Sequence, residues 1–234
     1  MPEVSIILPT YNEEGIIKVT IENMEKFIRK SRMDAEVIVV DDSKDRTYDI
    51  LKKLEKVYTN LTVIHRIEKK GVGSAIKSGI QNCSGKYVIV FMADGPKDVI
   101  YFVPILEKLK KGYDMVQTSF FRGKTKVSGY PLSKIIANRM FNNLLRIAFL
   151  RFDITVFTSL FKGLKKDVLK NLDLESDGFE IGTEIALKCS RKGLKIVEIP
   201  VDFEDRKVGK TKLHLTNEGY RYLFLAVKTW LTYF

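Results

Sequence analysis

The chain has 234 residues, 45% of them hydrophobic, with two cysteines and a net charge of +11. That suits one large α/β domain with a real core and excludes a disordered or disulfide-built protein. The positive balance suits phosphorylated small molecules or anionic lipid, and the lack of any zinc-finger, helix-turn-helix or RNP-type pattern argues against nucleic acid.

The opening "MPEVSIILP" reads as a short strand rather than a signal peptide. "NEEGIIKVTIENMEKFIRK" (12–30) reads as a helix with Asn12 as its N-cap. Next come "EVIVVDD" (strand), "DRTYDILKKLEKVY" (helix) and "LTVIHR" (strand). "GVGSAIKSGIQNC" is a loop running into a helix, and "KYVIVFMAD" is a strand. Strands that are apolar throughout and separated by helices indicate a mostly parallel central sheet with helices on both faces. Ligands bind at the carboxyl ends of such strands. Pro9-Thr10-Tyr11-Asn12, Asp41-Asp42, His65-Arg66 and Asp94 all fall there.

Further on, "VIYFVPILEKLKKG" reads as a helix, "YDMVQTSFF" as a strand and "RGKTKVSG" as a basic loop. "YPLSKIIANRMFNNLLRIAFLRF" reads as a broadly apolar helix with a polar stripe at 138, 139, 142, 143 and 146. "GFEIGTEIALKCSRKG" reads as a helix and "KIVEIPVDFED" as a strand. The boundary falls at residue 219, and 220–234, "YRYLFLAVKTWLTYF", is an amphipathic helix. Leu223, Phe224, Val227, Trp230, Leu231 and Phe234 share one face; Arg221 and Lys228 lie on the other. It either packs on the core, lies in a membrane interface or begins a longer segment. No stretch reaches the roughly 20 apolar residues of a membrane span. Cys83 and Cys189 read as reduced packing thiols, and His65 and His214 make no metal set.

Three constellations carry chemistry. Asp41-Asp42 are adjacent carboxylates that need compensation, which a base or ribose offering donors supplies; Asp45 reads as a helix cap. After the third strand, Gly71 and Gly73 allow close backbone approach. The helix start there has free N–H groups, and Arg66 and Lys69 add cations, an arrangement suited to a diphosphate. Asp94 ends the fourth strand as a metal ligand, a cap or the remnant of a site, with Asp98 as a helper or a cap.

"PTYNEE", "VVDDSKDRT", "RIEKKGVGSA", "FMADGPKD" and "IPVDFEDRKVGKTKL" occur in an order that resembles family 2 glycosyltransferases of the dolichyl-phosphate mannose synthase type. The resemblance implies a GT-A nucleotide-sugar domain. It implies inverting transfer of mannose or glucose from GDP-mannose or UDP-glucose to a polyprenyl phosphate, at the cytosolic face of a membrane. Pro9, Tyr11, Glu13 and Asp42 would hold the nucleoside, with Asp41, Arg66 and Ala93 in the same pocket; Lys69, Gly71 and Gly73 would lie near the diphosphate. Asp94 corresponds to the second aspartate of a DxD motif for Mg²⁺ or Mn²⁺, whose first position is Met92 here, and Pro96 replaces a frequent glutamine. The loop in "DDSKDRT" is about one residue short, and "DITVFTSLF" (153–161) stands where the family usually reads "DxTSGF", a change that bears on the acceptor contacts near Asp153 and Thr155. Arg206 and Lys212 would meet phosphates, and Glu184 matches a carboxylate that orients the acceptor or caps a network. A phosphate acceptor needs cations rather than a base, being anionic above a second pKa of ~6. Arg122, Lys124, Lys126, Lys134, Arg139, Arg146 and Arg151 supply them, interleaved with apolar residues. Two other readings stay open: transfer to a soluble hydroxyl, and a nucleotide-sugar-binding homologue without activity.

Overall fold

The structure is a computed structural model that describes residues 1–68, 71–204 and 215–232. Its first half alternates β1 (Val4–Thr10), α1 (Ile17–Ser31), β2 (Ala35–Asp41), α2 (Thr47–Glu55), β3 (Leu61–His65), α3 (Val72–Asn82) and β4 (Tyr87–Val90). Then follow α4 (Phe102–Lys110), β5 (Met115–Ser119), β6 (Val127–Ser128), α5 (Leu132–Ala148), β7 (Lys162–Lys165) and α6 (Lys166–Lys170). The last elements are α7 (Ile181–Arg191), β8 (Ile196–Pro200), β9 (Phe203–Glu204) and α8 (Leu215–Leu231).

Seven strands form one sheet in the order β3-β2-β1-β4-β7-β5-β8, and β6 pairs with β9 apart from it. The sheet is parallel except at β7, which is antiparallel to both β4 and β5. All seven residues of β1 are buried, the mark of a strand covered on both faces. Ile6, Leu8, Val37, Val39 and Phe91 pack under α1, α2 and α4, while Ile7, Ile38, Val40 and Val88 pack under α3 and α7. Each fully buried aliphatic side chain contributes about 1.5–3 kcal/mol relative to exposure, so the parallel half anchors the fold.

Three local features bear on the sequence reading. Asn12 does not cap a helix: α1 begins at Ile17, and Asn12 adopts a left-handed φ of 52°. Its Oδ1 accepts the Lys44 N–H at 2.9 Å and its N–H donates to Ser43 Oγ at 2.7 Å, tying the first strand's end to the second's. Asparagine tolerates that conformation better than most residues, and those bonds outweigh a cap. Second, α5 turns its polar stripe partly inward. Asn142 is fully buried, while Leu132, Ile136, Met140, Leu144 and Ile147 face outward. Third, α8 begins at Leu215 and buries Leu225, Ala226 and Thr229, leaving Leu223, Phe224, Val227, Trp230 and Leu231 exposed. The apolar face read from the sequence therefore points away from the core. Phe234 lies outside the described residues, and among those described no helix is long and apolar enough to cross a membrane. Cys83 and Cys189 are both free and buried, and burial pushes the Cys189 thiol up to about 12.

Candidate active site

The register of the parallel strands brings their polar ends to one edge. Thr10 pairs with Asp41, and Asp41 with His65. Asp41 is fully buried. Its Oδ1 accepts Thr10 Oγ1 at 2.9 Å and Ser43 Oγ at 2.5 Å, and its Oδ2 lies 2.8 Å from His65 Nδ1. His65 stacks on Tyr48 with ring centroids 4.1 Å apart. Asp42 receives both arms of Arg66, Nε and Nη2 each at 2.6 Å, and Arg66 Nη1 donates to Ser74 Oγ at 2.8 Å. The compensation that the adjacent aspartates need is thus supplied by the protein, in a bidentate pair of the strong kind. Asp45, read as the cap of α2, stands one residue before the N-cap position, Arg46, and its Oδ1 accepts the Thr47 N–H at 3.0 Å.

Pro9 lies within β1, Tyr11 is half-buried just beyond it, and Glu13 is buried with its N–H on Thr47 Oγ1 at 2.8 Å. Ala93 is buried and its carbonyl accepts Thr20 Oγ1 at 2.7 Å; Asp94 follows, half-buried, at the same edge. The Asp98 carboxyl is pushed up to about 6 by burial first, then by the carboxylates of Asp94, Glu204 and Asp202. Hard oxygen donors are what Mg²⁺ and Mn²⁺ take. Among the described residues, however, no group of three or more His, Cys, Asp or Glu side chains is already arranged to hold an ion.

The glycine loop differs from the expectation of free N–H groups. Gly73 N–H donates to the Asp177 carbonyl at 2.8 Å and Ser74 N–H to the same oxygen at 3.3 Å. A Cβ on Gly73 would lie 2.6 Å from the Ser176 carbonyl oxygen, and one on Gly71, whose φ is +95°, would strike the Asp177 carbonyl. The close backbone approach that these glycines permit is to the 176–178 loop. Glu184, at the start of α7, fixes that loop from behind. Its carboxylate accepts Glu175 N–H at 2.9 Å, Ser176 N–H at 2.8 Å and Lys188 Nζ at 2.8 Å. Burial works to raise its pKa, but these bonds win and hold the carboxyl below its usual range.

Beyond β5 lie the cationic residues. Arg122 Nη1 donates to the Asp153 carbonyl at 2.9 Å and sits 3.6 Å from Glu198 Oε2. The exposed Arg139 places its guanidinium 5.1 Å from the centre of the Phe121 ring. Asp153 is held by Arg151 in a bidentate pair at 2.9 and 2.8 Å. Glu198, absent from the sequence-derived site, is buried at this end and accepts Thr155 N–H at 2.8 Å and Val156 N–H at 2.9 Å. Its only sequence signal is its place just before "IPVDFED". Asn142 Oδ1 takes Phe157 N–H at 2.6 Å, so the 153–158 segment is fixed at two points. Lys69, Arg206 and Lys212 lie outside the described residues.

The description "Glycosyl transferase family 2" matches residues 5–173, which take in the polar strand ends of the parallel edge just described. The chain belongs to that family. A dolichol-phosphate mannosyltransferase of Pyrococcus furiosus is 33% identical over 220 residues, covering 90% of this chain and 59% of that protein. Glycosyltransferase AglD of Haloferax volcanii is 28% identical over 236 residues, covering 97% of this chain and 37% of that protein. The chain therefore spans roughly a third to three-fifths of the length of these relatives. Among solved structures, glucosyl-3-phosphoglycerate synthase from Mycobacterium tuberculosis with Mn²⁺, UDP-glucose and phosphoglyceric acid superposes with a TM-score of 0.73 at 18% identity, over 98% of this chain and 80% of that one. The same enzyme with Mg²⁺ and UDP gives 0.67 over 99% of this chain and 79% of that one. Family 2 membership and this likeness make the architecture a GT-A fold.

Proposed function

We propose that the chain transfers a hexose, mannose or glucose, from a nucleotide-diphosphate sugar to a polyprenyl phosphate, with inversion at the anomeric carbon. One observation carries the acceptor class: Arg122 and Arg139 flank Phe121 at the edge of the sheet, while the carboxylates beside them, Asp153 and Glu198, are engaged. A phosphate oxygen is already anionic and asks for cations; a hydroxyl asks for a base. The donor would occupy the edge between Tyr11, Asp42, Arg66 and Asp94, with Lys69, Arg206 and Lys212 contributing charge. Asp94 would hold Mg²⁺ or Mn²⁺, with Asp98 beside it. Such an ion, when bound, offsets the charge that develops on the departing diphosphate. The acceptor phosphate, aligned by the two arginines, would displace that diphosphate from the opposite face of the sugar.

Location at the cytosolic face of a membrane follows from the same reading. Phe141 of α5 and Tyr222 of α8 meet with ring centroids 5.9 Å apart, so the two outward apolar faces stand side by side. Apolar faces bordered by Lys and Arg suit an anionic headgroup layer. The decisive experiment offers UDP-glucose and GDP-mannose, with Mn²⁺ and with chelator, to the protein and farnesyl phosphate in detergent. Metal-dependent appearance of one inverted glycosyl lipid phosphate is expected, its anomer read by NMR. Donor binding without transfer would point to an inactive homologue, and a retained anomer would overturn displacement.

A hydroxyl acceptor has one observation in its favour. Glu180, 7% exposed, has an Oε2 without a hydrogen-bond partner among the described residues. A buried carboxylate oxygen of that kind is where a general base would stand. Transfer to phosphoglyceric acid or to free hexoses in place of the lipid phosphate would select this reading.

A further inference from the structure

Glu198 sits in a row that crosses four strands. Val90 pairs with Lys162, Lys162 with Gln117, and Gln117 with Glu198. Directly paired residues point to the same face, so these side chains lie together beneath the 153–160 segment. The Glu198 side chain is only 1% exposed, yet it reaches two surface groups. On one side is Arg122, 3.6 Å away. On the other runs a chain of hydroxyls. Thr155 Oγ1 donates to Glu198 Oε2 at 2.8 Å, Ser119 Oγ lies 2.7 Å from Thr155 Oγ1, and the Phe121 N–H donates to Ser119 Oγ at 3.1 Å.

The direction of this chain is forced. Glu198 Oε1 accepts two backbone N–H groups and its Oε2 accepts the Thr155 hydroxyl, so the single proton of Thr155 is committed to Glu198. Ser119 must then donate to Thr155 and can accept only the Phe121 N–H. Every link points its proton toward the carboxylate, an arrangement that polarises cooperatively. The chain ends at Phe121, the ring over which Arg139 lies, and Arg122 is the next residue.

We infer that Glu198 is the positioning residue of the acceptor clamp: one buried carboxylate sets Arg122 directly and Arg139 through Thr155, Ser119 and Phe121. The inference rests on the proposed phosphate acceptor. The same carboxylate accepts the backbone N–H groups of Thr155 and Val156, which turns the start of "DITVFTSLF" toward the sheet.

The test compares the unmodified protein with Glu198→Gln, Thr155→Val, Thr155→Ser and Arg122→Gln. Binding of farnesyl phosphate and of UDP or GDP is measured separately by calorimetry, with KM and kcat where transfer occurs. A glutamine keeps one acceptor for the loop N–H groups but turns an amide toward Thr155 and Arg122. Its expected effect is about tenfold weaker farnesyl phosphate binding, the scale of one charge-assisted hydrogen bond, with nucleotide binding unchanged. Thr155→Val cuts the hydroxyl chain and keeps the charge, with about threefold loss. Thr155→Ser restores the link and the affinity. Glu198→Gln combined with Arg122→Gln is expected to lose little more than Arg122→Gln alone, as coupled residues do. Farnesyl phosphate binding that survives both Glu198→Gln and Thr155→Val overturns the inference and leaves the acceptor reading standing. If Glu198→Gln does not fold, the valine–serine pair decides alone. Failure of the unmodified protein to bind farnesyl phosphate overturns the acceptor reading, and the inference falls with it.

Discussion

Along β1 to β4 the polar side chains sit at strand ends, above an apolar sheet, whereas across β7, β5 and β8 they run through the sheet itself. Asp41, Asp42, His65 and Arg66 satisfy one another at the rim, and the strands beneath them are Val and Ile. Lys162, Gln117 and Glu198 are buried in mid-sheet. Lys162 Nζ has the Gly182 carbonyl at 2.5 Å, and burial drops its pKa to about 7. Gln117 Oε1 has no hydrogen-bond partner among the described residues. The first half gains its stability from packing and gathers its polar groups at the rim, the proposed donor site. The second half gives up stability to hold an irregular segment in place, as expected where function sets the geometry.

Four perturbations sharpen that contrast. Asp94→Ala is expected to weaken Mn²⁺-dependent donor binding by about a hundredfold, because a metal clamp is worth several kcal/mol; calorimetry with unchanged affinity would make Asp94 structural. Arg66→Met leaves Asp42 buried without its partner, and denaturant unfolding is expected to show a loss of about 3 kcal/mol. Gly73→Ala pushes a methyl group into the 176–178 loop and is expected to lower stability by about 2 kcal/mol while weakening nucleotide binding, read in one thermal-shift titration. The smallest effect has the opposite sign. Lys162→Met is expected to stabilise the protein by about 1 kcal/mol at neutral pH, since it removes a buried cation. The native lysine releases its proton near pH 7 and the unfolded one near 10.5, so the unfolded chain holds more protons between those values. Unfolding free energy is therefore expected to rise with pH across that window in the native protein and to flatten in Lys162→Met. Equal slopes would show that Lys162 reaches water.

The same division governs what the sequence discloses. "VSIILP", "EVIVVDD", "LTVIHR" and "KYVIVF" are unbroken apolar runs, and burial on both faces leaves them no other use, so the parallel edge and its polar tips are legible. "KGLK" has no strand signature: two lysines flank a glycine and a single leucine, and β7 exists because β4 and β5 supply partners on either side. Asn142 reads only as part of a polar stripe because its partner, the Phe157 N–H, lies 15 residues on. Gly71 and Gly73 are legible as points of close approach, but composition does not say what approaches; the carbonyls of Ser176 and Asp177 do so from more than a hundred residues away. The proposed acceptor clamp carries its charges openly in Arg122 and Arg139, while the carboxylate behind them, Glu198, is set by strand register alone.

That seam between the glycine loop and residues 176–178 also bears on the order of assembly. During synthesis the parallel strands β1 to β4 leave the ribosome well before Asp177 exists, so the start of α3 must wait, uncapped, for a partner encoded far downstream. Contacts of such sequence separation close late, after the local units have formed. The edge proposed to hold the nucleotide is thus finished last, when the C-terminal half arrives, and a nascent chain has no closed seam between residues 71–74 and 176–178 before then.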